Sequence, residues 1–262
     1  MKMTILKLVC ISLCSIGAST SYADSIIESK LDAVNIRPNN FVNVANVIPE
    51  AQFDMRYYGS HNFVGSRIDG YEKAVCLLTK EAATQLKQVE DRLLPMGLTL
   101  KFYDCYRPQQ AVNNFAKWAA DINDTKMKNE FYPTVDKRNL FKEDYIAYKS
   151  GHSRGSTMDL TIVPVISKIP TINPNKKYAA CTSSIEMRSP DNSLDFGTGF
   201  DCFSPIAHPS YQHLSPQIKA NRLLLNTLMQ DAGFKAIDSE WWHFTLKNEP
   251  YPDTYFDFPV HD

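Results

Sequence analysis

Between Thr79 and Met96 the apolar residues Ala82, Ala83, Leu86, Val89, Leu93 and Leu94 recur at helical steps, the spacing that lines one face of a 3.6-residue helix. Thr79 supplies a capping oxygen at the start and Gly97 a stop at the end, so the pattern predicts a helix with both ends marked. Leu98–Tyr106, Leu-Thr-Leu-Lys-Phe-Tyr-Asp-Cys-Tyr, alternates early and stays rich in β-formers, which predicts a strand. Pro108 opens a second helix to about Ala120, because proline is well tolerated in a first helical turn. Thr157–Val165 alternates as another strand, limited at its far end by Pro164. Leu214–Ala232 is the last helix, closed by Gly233, and Trp241–Leu246 the last strand. Helices and strands mix without a regular strand-helix rhythm, which predicts an α+β class with a mainly antiparallel central sheet flanked by helices in a single domain.

Three stretches lack such periodicity. Residues 24–49 alternate weakly and read as an extended arm leading into a domain that runs from residue 50 to 262. Residues 121–149 are charged and irregular with scattered aromatics, which predicts a long surface excursion. Residues 168–213 are dense in Pro, Ser, Asn and Gly and too long for a simple connection, so a functional lid or binding loop is expected there.

The start of the chain fixes the expected compartment. Lys2 and Lys7 flank the approach to an apolar run from Leu8 to Ala18, and Ser21-Tyr22-Ala23 offers small residues for a signal peptidase. Residues 1–23 therefore read as a secretory signal, and the apolar run is far short of the ~20 residues that span a bilayer. An exported protein, periplasmic or secreted and without a stable membrane anchor, is expected. With 28 basic against 29 acidic residues and no basic block, composition points away from nucleic acid. Cys76, Cys105, Cys181 and Cys202 remain after the signal; in an oxidising space an even count favours disulfides. Four cysteines allow three connectivities, and spacing does not choose among them; Cys181 with Cys202 and Cys76 with Cys105 is the expected pairing. None is spaced C-x-x-C, which argues against a cysteine zinc site.

Two histidines stand in unusual contexts. His152 lies in Ser150-Gly151-His152-Ser153-Arg154-Gly155-Ser156-Thr157-Met158-Asp159, a polar turn that delivers Asp159 into an apolar strand. An inward carboxylate there costs several kcal/mol unless it is paired, hydrogen-bonded or bound to a metal. His243 ends Glu240-Trp241-Trp242-His243, three positions after an acid. Alone, either histidine could be a hydrogen-bonded core residue. Together, two histidines and an aspartate are three ligands suited to zinc, with a fourth position open to water and Glu240 as a base beside it. Arg107, at the end of a strand before Pro108, offers a permanently charged fork for an oxyanion; taken without the other pieces, a salt bridge to a carboxylate is the commoner role.

These segments, with Tyr103-Asp104-Cys105-Tyr106-Arg107-Pro108, Asn62-Phe63-x-Gly65, Gly70-Tyr71 and the tail from Glu249 to Val260, resemble the VanX-like D-alanyl-D-alanine dipeptidases from about residue 50 to the end. The resemblance implies that His152, Asp159 and His243 bind one zinc ion, that Glu240 is general base and acid, and that Arg107 stabilises the transition state. It further implies that Tyr57 and Asp201 hold the substrate ammonium and that Ser150 meets its carboxylate; Tyr58 and Asp195 are the neighbouring alternatives. The implied partner is a small D,D-dipeptide, and the D preference comes from the resemblance alone. Many relatives are cytoplasmic, whereas an export signal and cysteines favour dipeptide from cell-wall turnover over antibiotic resistance as the role. Competing readings are a zinc D,D- or L,D-carboxypeptidase acting on peptidoglycan stems, a non-catalytic zinc-dependent wall-binding protein, and a cysteine hydrolase using Cys105. Oligomeric state is not legible.

Overall fold

The computed structural model describes residues 33–173 and 175–262; the expected signal at 1–23 and the start of the arm, 24–32, lie outside the described residues. In chain order the main elements are β1 (Phe41–Asn43), β2 (Gln52–Phe53), β3 (Leu77–Thr79), α1 (Lys80–Leu93), β4 (Leu98–Asp104) and α2 (Gln109–Ala120). They continue with α3 (Lys128–Phe131), β5 (Thr157–Pro164), α4 (Pro216–Asp231), β6 (Phe234–Ala236) and β7 (His243–Leu246). A five-stranded sheet has the order β2-β4-β5-β7-β6, parallel only between β2 and β4, and β1 pairs with β3 in a small antiparallel ribbon. This is the expected α+β class.

Local chemistry explains the elements. Thr79 ends β3 and caps α1, its hydroxyl accepting from the Ala82 N–H, while Gly97 takes the left-handed conformation (φ 72°) that stops the following 3-10 turn. The stripe expected on α1, Ala82, Ala83, Leu86, Val89 and Leu93, is buried, and α1 and α4 lie together beside the sheet. Along β4, β5 and β7 the pairs Leu100 with Ile162, Phe102 with Leu160, and Met158 with Phe244 occupy one face. Leu100, Phe102, Leu160 and Ile162 are completely buried, each stabilising the fold by about 1.5–3 kcal/mol. The opposite face carries Lys101 with Thr161, Asp159 with His243, and Thr157 with Thr245.

A register shift in β4 matters for function. Phe102 pairs with Leu160 but Asp104, not Tyr103, pairs with Asp159. The extra residue turns Asp104 onto the polar face, since a one-residue slip exchanges the faces of a strand. Asp104, Asp159 and His243 thereby form one row across three adjacent strands.

Two aperiodic stretches differ from expectation. Residues 121–149 keep many exposed positions, as expected of a surface excursion, but also pack inward: Phe131, Tyr132, Val135, Leu140 and Ile146 are buried. Their apolar residues follow turns and 3-10 segments, so no period announces them. In the arm region, Phe41, Val44 and Ile48 belong to the core. The Phe41 ring lies so close to Gly155 that a Cβ there would meet it at 2.2 Å, and Gly155 also needs its φ of 81° to end the turn before β5. The 168–213 stretch is largely irregular, as expected, and is pinned by the Cys181–Cys202 disulfide.

Candidate active site

The site is assembled where β4, β5 and β7 lie side by side. Ser150 caps the 3-10 turn Gly151–Arg154, its hydroxyl accepting the His152 N–H at 3.3 Å. That turn sets His152 at the mouth of β5, whose third residue is Asp159, and β7 begins with His243 directly across from it. The His152 Nδ1 donates to the Cys105 carbonyl at 2.8 Å, which leaves Nε2 as the free lone pair. Nε2 lies 3.3 Å from Asp159 Oδ1 and 3.3 Å from His243 Nδ1, and His243 Nδ1 is 3.1 Å from Asp159 Oδ1.

These separations test whether a metal fits. Three ligands on a tetrahedral zinc with bonds of about 2.0–2.1 Å stand roughly 3.3–3.4 Å apart, and the three atoms of this site form a triangle of that size. Asp159 Oδ1 is buried and, despite its proximity to both imidazoles, makes no hydrogen bond. An acceptor aimed at the point shared by two nitrogen lone pairs is what a cation would satisfy. Burial holds the His152 pKa below its ordinary value, keeping the imidazole neutral as a ligand must be. Burial opposes ionisation of Asp159, but His152 and His243 outweigh it and hold the carboxyl well below the usual range.

Two charged groups flank the triangle. Glu240 Oε2 is 3.5 Å from His243 Nδ1, and burial pushes its carboxyl up to about 7, the range suited to giving and taking protons near neutrality. The Arg107 guanidinium lies 3.6 Å from Asp159 Oδ2, and its Nε donates to Asp104 Oδ2 at 2.9 Å. Asp104 is completely buried and also accepts from the Tyr71 hydroxyl at 2.6 Å. Its Oδ2 also approaches His152 Nδ1 to 3.4 Å, so the carboxyl that holds the arginine lies beside the imidazole whose N–H goes to the Cys105 carbonyl.

The triad, Glu240 and Arg107 line a cavity of about 170 Å³ together with a further buried acid, Asp201. Asp201 is buried with φ 56°, a left-handed backbone unusual for a residue other than glycine. Its carboxylate accepts from the Tyr57 hydroxyl at 2.9 Å, and the Arg107 guanidinium stacks 5.1 Å from the Tyr57 ring. Burial, reinforced by Asp159 and Glu240, pushes the Asp201 pKa well above the carboxylate range. A bound cation is the natural complement of such a group.

Residues 37–165 and 163–261 match the peptidase M15 family model described as D-ala-D-ala dipeptidase. The chain belongs to this family. It is 34% identical to the D-alanyl-D-alanine dipeptidase of Streptomyces coelicolor over 221 residues, covering 84% of this chain and 98% of that protein. A D-alanyl-D-alanine dipeptidase of Enterococcus faecium is 33% identical over 220 residues, covering 84% and 98%. The D-alanyl-D-alanine dipeptidase of Escherichia coli K12 is 32% identical over 205 residues, covering 78% and 83%.

In this M15 peptidase the structure brings together all eight residues singled out in the sequence: His152, Asp159, His243, Glu240, Arg107, Tyr57, Ser150 and Asp201 line one cavity. The alternatives lie elsewhere: Tyr58 faces Arg67 near the surface, and Asp195 is ion-paired with Arg188 at 2.8 Å. Cys105 is disulfide-bonded to Cys76, and Cys181 to Cys202, the expected pairing, so Cys105 offers no thiolate nucleophile. Sequence reading gave Asp104 no role, because alternation places it on the wrong face and only the bulge reverses that. It also missed Tyr145, Ile146 and Lys149, which line the cavity from the aperiodic 121–149 stretch.

Proposed function

We propose that this protein hydrolyses free D-alanyl-D-alanine to two D-alanines with one zinc ion held by His152, Asp159 and His243. When bound, zinc supplies a Lewis acid and lowers the pKa of its water to about 7. The Glu240 carboxyl, with a pKa of about 7, would serve as the base that accepts a proton from the attacking water and the acid that returns one to the leaving amine. Arg107, held by Asp104 and stacked on Tyr57, presents its fork to the oxyanion developing on the scissile carbonyl. Asp201, with Tyr57 donating to it, receives the substrate ammonium, and Ser150 meets the carboxylate end.

The observation that carries this reading is the buried Asp201 lining the same cavity as the His152, Asp159 and His243 triangle. About 170 Å³ lies below the ~300–1,000 Å³ of sites for drug-sized ligands and suits a molecule of dipeptide size. A longer stem or a blocked amine would leave the Asp201 carboxylate unpaired, and unpaired buried polar groups give large discrimination. The small cavity with the buried Asp201 in its lining argues against the wall carboxypeptidase, and Glu240 with Arg107 against a wall-binding protein without activity.

The setting is extracytoplasmic, where the dipeptide arises from cell-wall turnover; two disulfides and the signal-like residues 1–23 support it. Among the described residues no helix is long and apolar enough to cross a membrane. The test is D-alanine release by residues 24–262 with zinc and after chelation, beside the N-acetylated dipeptide and a stem pentapeptide. Chelator-sensitive cleavage of the free dipeptide alone is expected; equal cleavage of the blocked or longer substrates overturns the reading.

A further inference from the structure

The bond between Cys76 and Cys105 sits directly behind one imidazole of the proposed metal site. The last ladder pair of β4 is Asp104 with Asp159, so Cys105 lies just beyond the strand pairing, and yet its carbonyl receives the His152 Nδ1–H at 2.8 Å. Cys76 immediately precedes β3. Both cysteines are completely buried. Backbone bonds gather on the same spot: Tyr106 N–H donates to the Leu77 carbonyl at 2.9 Å, Val44 N–H to the Cys76 carbonyl at 2.9 Å, and Arg107 N–H to the His152 carbonyl at 3.4 Å. The disulfide thus ties the segment carrying Asp104, the Cys105 carbonyl and Arg107 to the β1–β3 ribbon.

A metal-bound imidazole depends on the partner of its other nitrogen, which fixes its tautomer and ring orientation; losing such a partner weakens metal binding by about 10- to 100-fold. For His152 that partner is a carbonyl beyond the end of a strand. We propose that the Cys76–Cys105 disulfide is a positioning element of the metal centre, holding the Cys105 carbonyl against His152 and thereby setting metal affinity. The other disulfide has a different neighbourhood. Cys202 follows Asp201, and its bond to Cys181 closes a span of 21 residues within the irregular loop, away from the imidazole's partner.

This inference rests on the zinc reading above, and the test separates the two. Zinc affinity is measured by competition with a chromophoric chelator for the native protein and for the C76S/C105S and C181S/C202S variants. Thermal unfolding of each metal-free form is followed alongside, together with the visible spectrum of the cobalt-loaded forms. Tight zinc binding by the native protein, at least tenfold weaker binding with an altered cobalt spectrum in C76S/C105S, and unchanged affinity in C181S/C202S are expected. If C76S/C105S does not fold, C76V/C105A keeps buried volume without the covalent tie and is expected to show the same loss. Equal zinc affinity in the native and C76S/C105S proteins overturns the proposal. So does a loss that both disulfide variants share in proportion to their lowered melting temperatures. Absence of zinc binding by the native protein overturns the metal reading first and this inference with it.

Discussion

Two sides of the cavity are built from different material. On the side of the proposed metal triad, His152 and Arg107 project from short turns abutting β4 and β5, while Asp159 and His243 stand opposite one another in strand register. On the side proposed for the substrate ammonium, Asp201 stands in an irregular loop with a left-handed backbone, held by a disulfide and by side chains from outside the loop. Arg222 of α4 alone donates to the carbonyls of Phe196, Ile206 and His208 at 2.7 to 2.8 Å. Asp191 of the loop accepts from Lys101, Arg56 and Tyr103 at 2.7 to 2.9 Å, clamping it over the sheet. Adjacent strands fix ligand separations to a few tenths of an ångström, as a metal demands. A loop pinned in this way can vary in sequence and length without disturbing those positions.

The contrast is broken most severely on the side of the triad. His152→Ala is expected to lose both zinc and turnover, whereas Glu240→Ala keeps zinc and loses nearly all turnover; metal analysis beside steady-state kinetics distinguishes them. Unchanged activity in either variant removes the assignment. Next is the clamp on the loop. Asp191→Ala leaves Lys101 buried without its carboxylate and is expected to lower stability by about 3–5 kcal/mol in chemical denaturation, with zinc affinity unchanged. Lys101 and Arg56 outweigh burial and hold the Asp191 pKa down to about 2. A group lowered in the folded state stabilises above its unfolded pKa, so this contribution is present above about pH 4 and fades as pH falls toward 2.

Arg107→Ala is expected to cost about 2 to 4 kcal/mol of transition-state stabilisation, seen as lowered kcat at nearly full zinc content. Metal loss in step with activity would make Arg107 a structural residue. The smallest effect belongs to the side proposed for the ammonium: Asp201→Asn keeps size but removes the charge, and about 1.5–3 kcal/mol is the worth of a hydrogen bond to a charged group. It is expected to raise KM for the free dipeptide and narrow its advantage over the N-acetylated one, leaving zinc content as it was. A fall in zinc content instead would mean that the two sides are not independent.

Much of this arrangement was legible in residue order. Helical spacing from Ala82 to Leu94, closed by Gly97, led directly to α1, and the β-rich runs at 98–106 and 157–165 led to β4 and β5. His152, Asp159, His243, Glu240 and Arg107 stood in motifs that their chemistry singles out, whereas Tyr57, Ser150 and Asp201 were named only through the family resemblance. The bulge at Tyr103 was hidden, because alternation describes a strand alone and the register shift exists only between strands. The buried residues of 121–149 were hidden for a related reason: turns and 3-10 segments impose no period, so Tyr132 and Leu140 look like any scattered apolar residue.

By itself, then, the sequence determined the helices and strands with regular repeats, the chemical types gathered at the site, and an even set of cysteines fit for oxidation. Tertiary structure alone decided that Asp104 turns inward to hold Arg107 beside His152, and that Cys105 lends a carbonyl to an imidazole 47 residues away. It also decided that Asp201 lines the same cavity as the triad. Periodicity is a property of neighbours along the chain, whereas a buried charge or a metal ligand is stabilised by whatever lies across from it, and that is set only when distant segments pack.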